Sequence, residues 1–159
     1  MMTQSEEFWR KVSILAIAGG AAFWVTNLAI SLTPIAADYR AALSISYFPM
    51  LLQALLGGLI IGFCVSYFLL RFFDKIPTKN PILKSLLLSF IALIIVTLLI
   101  EAPSKFLTTT SEALHYFLIG GLFNVLRILA LGIAIGYLFK RLPKGFNRSA
   151  MTSESTKTS

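Results

Sequence analysis

Arg127 is the residue whose type and position could do chemistry in this sequence, because it interrupts the otherwise apolar segment GGLFNVLRILALGIAIGYLFKR (120–141). A charged side chain near the middle of a membrane-spanning helix costs about 2.5–3.5 kcal/mol even on insertion scales. Residues of this kind often mark ion or substrate pathways. A guanidinium recognises anions through five N–H donors held in a planar fork. The sequence therefore directs attention to anion recognition.

Several polar residues of the predicted outer half are candidates to satisfy Arg127. Asn124 lies one helical turn earlier and is the nearest acceptor on the same helix. Glu101 ends an apolar run on the same side and is the first candidate counter-charge. Asn27, Ser31, Thr26 and Gln53 belong to the first two apolar runs. We predict a polar cluster open to the outer face, with Arg127, Asn124, Asn27, Ser31, Gln53 and Glu101 as its candidate binding residues.

Three interpretations of Arg127 stay open at this stage. In the first, Arg127 and its acceptors fix the register of neighbouring helices and have no ligand. In the second, they bind an anion or a lipid headgroup, or line its path. In the third, the side chain only extends toward the headgroup region.

Catalytic patterns are absent from the sequence. It contains no glycine-rich phosphate loop, no HExxH, no GxSxG and no paired carboxylates inside an apolar run. His115 stands without cysteine or carboxylate partners at ligand spacing, so we predict no metal site and no cofactor. Asp38 with Arg40, or Glu101 with His115, are the only groups suited to lipid-headgroup chemistry. A lipid-modifying enzyme is the least favoured alternative.

The composition identifies the class of protein. Of 159 residues, 57% are hydrophobic and 13% are charged, against about 25% charged in soluble domains. A water-soluble fold of this composition would expose large apolar patches. The net charge of +7 is spread in clusters between apolar runs, which fits an anionic membrane surface and not nucleic acid. The single cysteine, Cys64, allows no intrachain disulfide.

Four apolar runs are long enough to span a hydrocarbon core, which takes about 20 residues. All six prolines lie at or near their ends, where they break no interior helical hydrogen bond. A cleaved signal peptide ending near residue 37 is disfavoured, because the first apolar run exceeds the length of a signal-peptide core. The predicted spans are 8–32, 47–73, 82–100 and 114–139, within a transmembrane domain of residues 8–141.

The distribution of Lys and Arg predicts the orientation. Eleven of these residues lie at the start of the first span, in or beside the loop between the second and third spans, or after the fourth. Only Arg40 and Lys105 lie in the other two loops. Because positive charge accumulates on the cytoplasmic side, we predict that both termini are cytoplasmic. Residues 1–7 form the N-terminus, and residues 142–159 form a basic, disordered tail.

Small residues predict how the helices pack, since close backbone approach drives helix association in lipid. The candidate packing pairs are Gly58 with Gly62, Gly132 with Gly136, and Ala18 with Ala22. The last helix carries a second specialised face through Arg127, so it is either central in the bundle or in contact with another copy.

Segments 60–71 and 130–141 share a Gly, a small residue four positions on, a Tyr and an Arg. This echo indicates either a duplicated helical hairpin or chance similarity.

These observations predict an all-α integral membrane four-helix bundle, with both termini inside and its location in a cell membrane. The function that requires least of the sequence is a non-catalytic assembly or accessory subunit. The alternative is an oligomeric channel or transporter for an anion or lipid headgroup that uses Arg127. The expected partners are membrane lipids and further copies of the chain or other membrane proteins.

Overall fold

The computed structural model describes residues 4–101 and 113–142, and all regular structure in these ranges is helical. The predicted tail, 142–159, lies outside the described residues apart from Leu142. The helices are α1 (Gln4–Ser31), α2 (Pro34–Ala42), α3 (Tyr47–Arg71), α4 (Pro81–Val96) and α5 (Ala113–Arg141). A 3₁₀ turn (Phe73–Lys75) follows α3, and a π turn (Thr97–Glu101) continues α4.

Within the described residues, four helices are long and apolar enough to cross a membrane, in agreement with the predicted four-span, all-helical protein. Their bounds are Gln4–Ser31, Tyr47–Arg71, Pro81–Leu99 and Leu114–Arg141. Each bound lies within four residues of the one predicted from hydropathy and proline positions. By the length and composition of its helices, the chain is a multi-pass membrane protein.

The four spans form a bundle in which each helix runs antiparallel to its neighbours in the chain. Around the bundle the order is α1, α3, α4, α5, and α5 packs back against α1. Successive glycines of α1 serve different neighbours: Gly19 faces Ile135 of α5, and Gly20 faces Leu59 of α3. The diagonal pairs make little contact.

This arrangement gathers most of the positive charge of the described residues at one end, called the basic end. It comprises the start of α1, the segment between α3 and α4, and the end of α5. Phe73 stacks on Phe139 there, with ring centroids 4.9 Å apart, and joins that segment to α5. The opposite end, called the α2 end, holds α2 and the start of α3.

Glycines allow close contact at both hairpin interfaces. A Cβ at Gly62 would lie 2.8 Å from the carbonyl oxygen of Ala16, and one at Gly136 would lie 2.5 Å from the Cα of Ile82. The other two predicted glycines are similarly placed, Gly58 against Phe23 and Gly132 against Leu86 and Ser89. Gly62, Gly132 and Gly136 meet backbone atoms of the facing helix, whereas Gly58 makes room for the side chain of Phe23. The helices approach closely because the glycines place no side chain between them.

The small residues of α1 differ in how deeply the structure buries them. Ala16, Gly19 and Gly20 are buried, whereas Ala18 and Ala22 are only half-buried. Because α1 lies between α3 and α5, it needs small residues on two adjacent faces and not along one stripe. The spacing of Ala18 and Ala22 defines a single stripe and does not reveal that α1 has two packing faces.

Both specialised faces of α5 are covered within the bundle. Gly132 and Gly136 meet α4, while Leu131, one residue away from Gly132, meets Gly19 of α1. Of the two alternatives for this helix, the structure places it between two neighbours of its own chain. A second copy is not required to cover the face that carries Arg127.

Candidate functional site

The candidate site is a small cavity of about 20 Å³ at the α2 end, where α1, α2, α3 and α5 meet. Three residues of the predicted polar cluster line it: Asn27 and Ser31 of α1 and Arg127 of α5. Arg40 and Tyr39 of α2 also line it. The remaining wall is apolar and comes from Ile30, Ala36, Met50 and Phe123.

Helix α2 forms because the sequence supplies both its start signals. Thr33 is the N-cap, and its Oγ1 accepts a hydrogen bond of 3.3 Å from the backbone N–H of Ala36. Pro34 occupies the first turn, where no amide donor is needed. The segment was not predicted as a helix because it is short and outside the apolar runs. Its role is to carry Tyr39 and Arg40 over the site.

Arg40 joins three elements at the α2 end. Its Nη1 donates a hydrogen bond of 2.9 Å to the carbonyl oxygen of Ser31, the last residue of α1. Its guanidinium carbon lies 5.1 Å from the ring centroid of Tyr47, at the start of α3. A positive charge at a helix C-terminus also interacts favourably with the helix dipole. These contacts hold the guanidinium at the edge of the cavity.

Arg127 enters the cavity from α5, and Asn124 orients it. The Nη1 of Arg127 donates a hydrogen bond of 2.9 Å to Oδ1 of Asn124, three residues earlier on the same helix. Asn124 therefore acts on the site through Arg127 and is not itself a lining residue. This hydrogen bond fixes the orientation of the guanidinium beside the cavity.

Arg127 lies nearer to the α2 end of the bundle than its central position within α5 suggests. Arg127 lies 14 residues, about 21 Å, from either end of α5. It shares the cavity with Asn27, however, which lies only four residues, about 6 Å, before the end of α1. The first turns of α5 project beyond α1 and pack on α2, where Tyr39 contacts Tyr116 and Phe123. Arg127 is thus near one end of the bundle and not at its centre.

Asn27 is the most unusual polar group of the site. It is 1% exposed, and neither Oδ1 nor Nδ2 has a hydrogen-bond partner among the residues that the structure describes. A buried amide without partners costs about 1–3 kcal/mol, so such groups normally meet a water molecule or a ligand. Because Asn27 lines the cavity, that partner belongs inside it.

Ser31 makes only local contacts. Its Oγ donates to the carbonyl oxygen of Leu28 at 2.6 Å and lies 3.4 Å from the hydroxyl of Tyr47. Thr26, which the sequence also placed in the outer half, donates to the carbonyl oxygen of Ala22 at 2.8 Å and does not line the cavity. These hydroxyls are satisfied within or beside α1.

Two predicted members of the cluster are not brought to the cavity. Gln53 is exposed on α3 and is not a lining residue. Glu101 ends the π turn of α4, and its side chain lies outside what the structure describes. Tyr39 was not singled out from the sequence, and Arg40 was named there only with Asp38 for lipid-headgroup chemistry and not as a member of this cluster. The one available signal was the position of Arg40, one of two basic residues in the predicted outer loops.

The size and charge of the cavity limit what it can hold. A volume of about 20 Å³ exceeds the roughly 10–15 Å³ that one water molecule requires, and the cavity is partly open to its surroundings. Two guanidinium groups border it, and none of its lining residues in the described part of the chain is acidic. A group that carries negative charge fits this lining.

An apolar core separates this site from the basic end. Leu15, Leu131 and Ile135 are fully buried on neighbouring helices, and Phe23, Val65, Leu69 and Ile128 complete the cluster. Three buried serines, Ser66, Ser85 and Ser89, lie on α3 and α4 at the level of this cluster. Within the described residues, the site is therefore closed toward the basic end.

No group of three or more His, Cys, Asp or Glu side chains capable of holding a metal occurs in residues 4–101 and 113–142. His115 is exposed at the start of α5 and contacts the ring of Tyr116 edge-on, with centroids 5.5 Å apart.

In comparisons with protein-family models, curated proteins and solved structures, no match to this chain is found.

Proposed function

We propose that this chain is a non-catalytic membrane subunit, acting in assembly or as an accessory protein, whose α2-end site binds an anionic group. One observation carries the proposal: Arg127, Arg40 and the unpartnered amide of Asn27 border one small cavity. A purely structural role for Arg127 would not explain why a buried amide beside it lacks a partner. An anionic group would accept hydrogen bonds from both residue types.

The proposal includes an orientation and a location. The basic end faces the cytoplasm, since Arg10, Arg71, Lys75 and Arg141 all lie there and positive charge is retained on that side. The α2 end then opens to the outer face of a cell membrane.

A channel or transporter is less well supported than a subunit with a binding site. The closed apolar core leaves no polar route through one chain within the described residues. Transport would need a path between copies, and no observation on the described residues favours one. Enzymatic chemistry at the site would need a base or nucleophile, which its lining residues do not offer.

We also infer that the two hairpins, α1–α3 and α4–α5, arose by duplication. At an offset of 70 residues, the close contact of Gly62 with Ala16 corresponds to that of Gly132 with Leu86. Equivalent contacts in the two hairpins support the inference more strongly than similar residue types do, because both residues of the contact must be offset by the same 70 positions. Superposition of the two hairpins at this offset tests it, and a different best offset would contradict it.

The first prediction tests whether Arg127 binds a ligand or only stabilises the bundle. The wild type, Arg127→Leu and the matched control Arg141→Leu are purified in native lipid particles, and co-purifying species are identified by mass spectrometry. We expect an anionic species that is lost in Arg127→Leu and kept in Arg141→Leu, with thermal stability in detergent near wild type. A stoichiometric membrane protein in all three samples would support the assembly role.

Two results would contradict this proposal. Loss of folded protein in Arg127→Leu alone would assign Arg127 a structural role. Ion conductance or solute uptake in liposomes that contain only this protein would show a channel or transporter instead.

A further inference from the structure

We infer that the α2-end site binds the phosphate group of a phospholipid in the adjoining leaflet, with one phosphate oxygen inside the cavity. This inference rests on the proposed function, because it names the anion that the proposed function requires. The depth of the site, its open cavity and the chemistry of its walls support it.

The depth of the site matches the level of lipid headgroups. Along α1, Lys11 at the basic end and Ser31 at the α2 end are 20 residues apart, or about 30 Å. This equals the thickness of a bilayer's hydrocarbon core. Asn27 then lies about 6 Å inside the boundary, while α2 lies at the boundary with Asp38 exposed. A ligand that contacts both α1 and Arg40 of α2 spans the region where headgroups meet acyl chains.

The cavity is partly open, so a ligand can enter it with its bulk remaining outside. It has room for at least one oxygen atom with its hydrogen bonds. A lipid phosphate suits such a site because its ester groups and acyl chains stay in the bilayer. Exposed apolar side chains near the α2 end offer contact surface for the acyl chains, namely those of Leu32, Phe48 and Leu122.

The walls provide the donors that a phosphate oxygen accepts. The Nδ2 of Asn27 is a buried donor without a partner among the described residues. The guanidinium groups of Arg40 and Arg127 border the same cavity from α2 and α5. Guanidinium–phosphate pairs match in geometry and form short, charge-assisted hydrogen bonds. Ile30, Met50 and Phe123 shield these bonds from water and so strengthen them.

The test uses delipidated full-length protein in detergent and three added probes. Phosphatidylglycerol carries the phosphate and the acyl chains, diacylglycerol with the same chains lacks the phosphate, and inorganic phosphate lacks the chains. Binding is followed by the unfolding temperature and by native mass spectrometry. We expect phosphatidylglycerol to raise the unfolding temperature and to saturate at one lipid per chain, whereas diacylglycerol has no such effect.

Variants locate the bound lipid. Asn27→Leu removes the buried donor and should weaken phosphatidylglycerol binding about tenfold, the loss of one charge-assisted hydrogen bond. Arg141→Leu removes one positive charge at the basic end and should bind as the wild type does. Equal binding by Asn27→Leu and the wild type would overturn the inference.

A second variant keeps the test decisive if Asn27→Leu does not fold. Asn27→Asp keeps the side-chain size, and its carboxylate can pair with Arg127 in the folded bundle. The same carboxylate repels phosphate, so this variant should fold and retain no phosphatidylglycerol. Retention at the wild-type level would contradict the inference.

The probes separate failure of this inference from failure of the proposed function. Equal stabilisation by inorganic phosphate and by phosphatidylglycerol would overturn the lipid assignment and leave an anion site in place. Equal binding of diacylglycerol would overturn the role of phosphate. No response to any probe in the wild type would contradict both the lipid assignment and the anion site.

Discussion

Two buried polar residues at opposite ends of the bundle illustrate how a single side chain is accommodated in an apolar protein. Asn27 has no partner in the described residues and borders a cavity. Lys84 is 5% exposed, but its ammonium group donates to the backbone carbonyl of Phe73 and lies 3.7 Å from the ring centroid of that residue. The satisfied lysine reads as structural, whereas the unsatisfied asparagine points to a ligand.

The second prediction concerns Lys84. Replacement by methionine keeps the apolar stem but removes the hydrogen bond to Phe73 and the cation–π contact. We expect a loss of about 1.5–3 kcal/mol of stability, the range for a hydrogen bond to a charged group. The control Lys79→Met, at an exposed position, should change stability by less than about 0.5 kcal/mol. Thermal unfolding in detergent measures both, and equal effects would show that the buried contacts are not stabilising.

At the scale of helices, the glycines differ sharply in what they allow. Gly136 faces the backbone of α4, which cannot move aside without separating the two helices. Gly19 faces only side-chain atoms, those of Ile135 and Leu131, which can shift more readily than backbone. Gly20 meets both the side chain and the Cα of Leu59. Gly121 faces nothing within 4 Å among the described residues. The sequence shows small residues at all these places but not which of them is required.

The third prediction follows from this difference. Gly136→Ala should destabilise the bundle by about 1–3 kcal/mol, because a Cβ would lie 2.5 Å from the Cα of Ile82. The matched variant Gly121→Ala should be neutral or stabilise by up to about 1 kcal/mol, since alanine is the better helix former. Unfolding temperatures compare the two variants. A neutral Gly136→Ala would mean that α4 and α5 are not in close contact at this point.

Helix α2 shows how a short element decides the composition of the site. Nine residues bring Arg40 and Tyr39 over the ends of α1 and α3. Hydropathy does not reveal such a segment, because it neither spans a membrane nor joins an apolar run. The N-cap Thr33 followed by Pro34 was its only sequence signal.

At the scale of the whole molecule, the antiparallel packing places the start of α1, residues 72–80 and the end of α5 together. In the proposed orientation, these three segments are accessible to a water-soluble reagent from the same side of the membrane. The segment between α2 and α3 is accessible from the other side.

The fourth prediction tests this orientation by cysteine accessibility. In a Cys64→Ser background, single cysteines replace the exposed residues Ser5, Ser46 and Lys79. In intact cells, a membrane-impermeant maleimide should label position 46 alone. Positions 5 and 79 should react only after the membrane is permeabilised. Labelling of position 5 without position 79 in intact cells would contradict both the orientation and the four-span topology.

The sequence by itself determined the class of protein, the four spans and nearly all their bounds. Apolar runs of bilayer length flanked by prolines leave little freedom, since every backbone polar group in lipid must be bonded within its own helix. Arg127, Asn27 and Ser31 could also be singled out, because polar side chains in such runs are costly and few.

Only the tertiary structure decided which of these residues meet and at what depth. Arg127 is central in its own helix yet lies near one end of the bundle, because α5 extends about 15 Å farther than α1 at the α2 end. Gln53 turns outward, and Arg40 joins the cavity from a helix that hydropathy did not show. The register between the helices determines both the depth of Arg127 and the set of residues that line the cavity. That register depends on which backbones come into contact at the glycines. The periodicity of one helix does not specify its contacts with another.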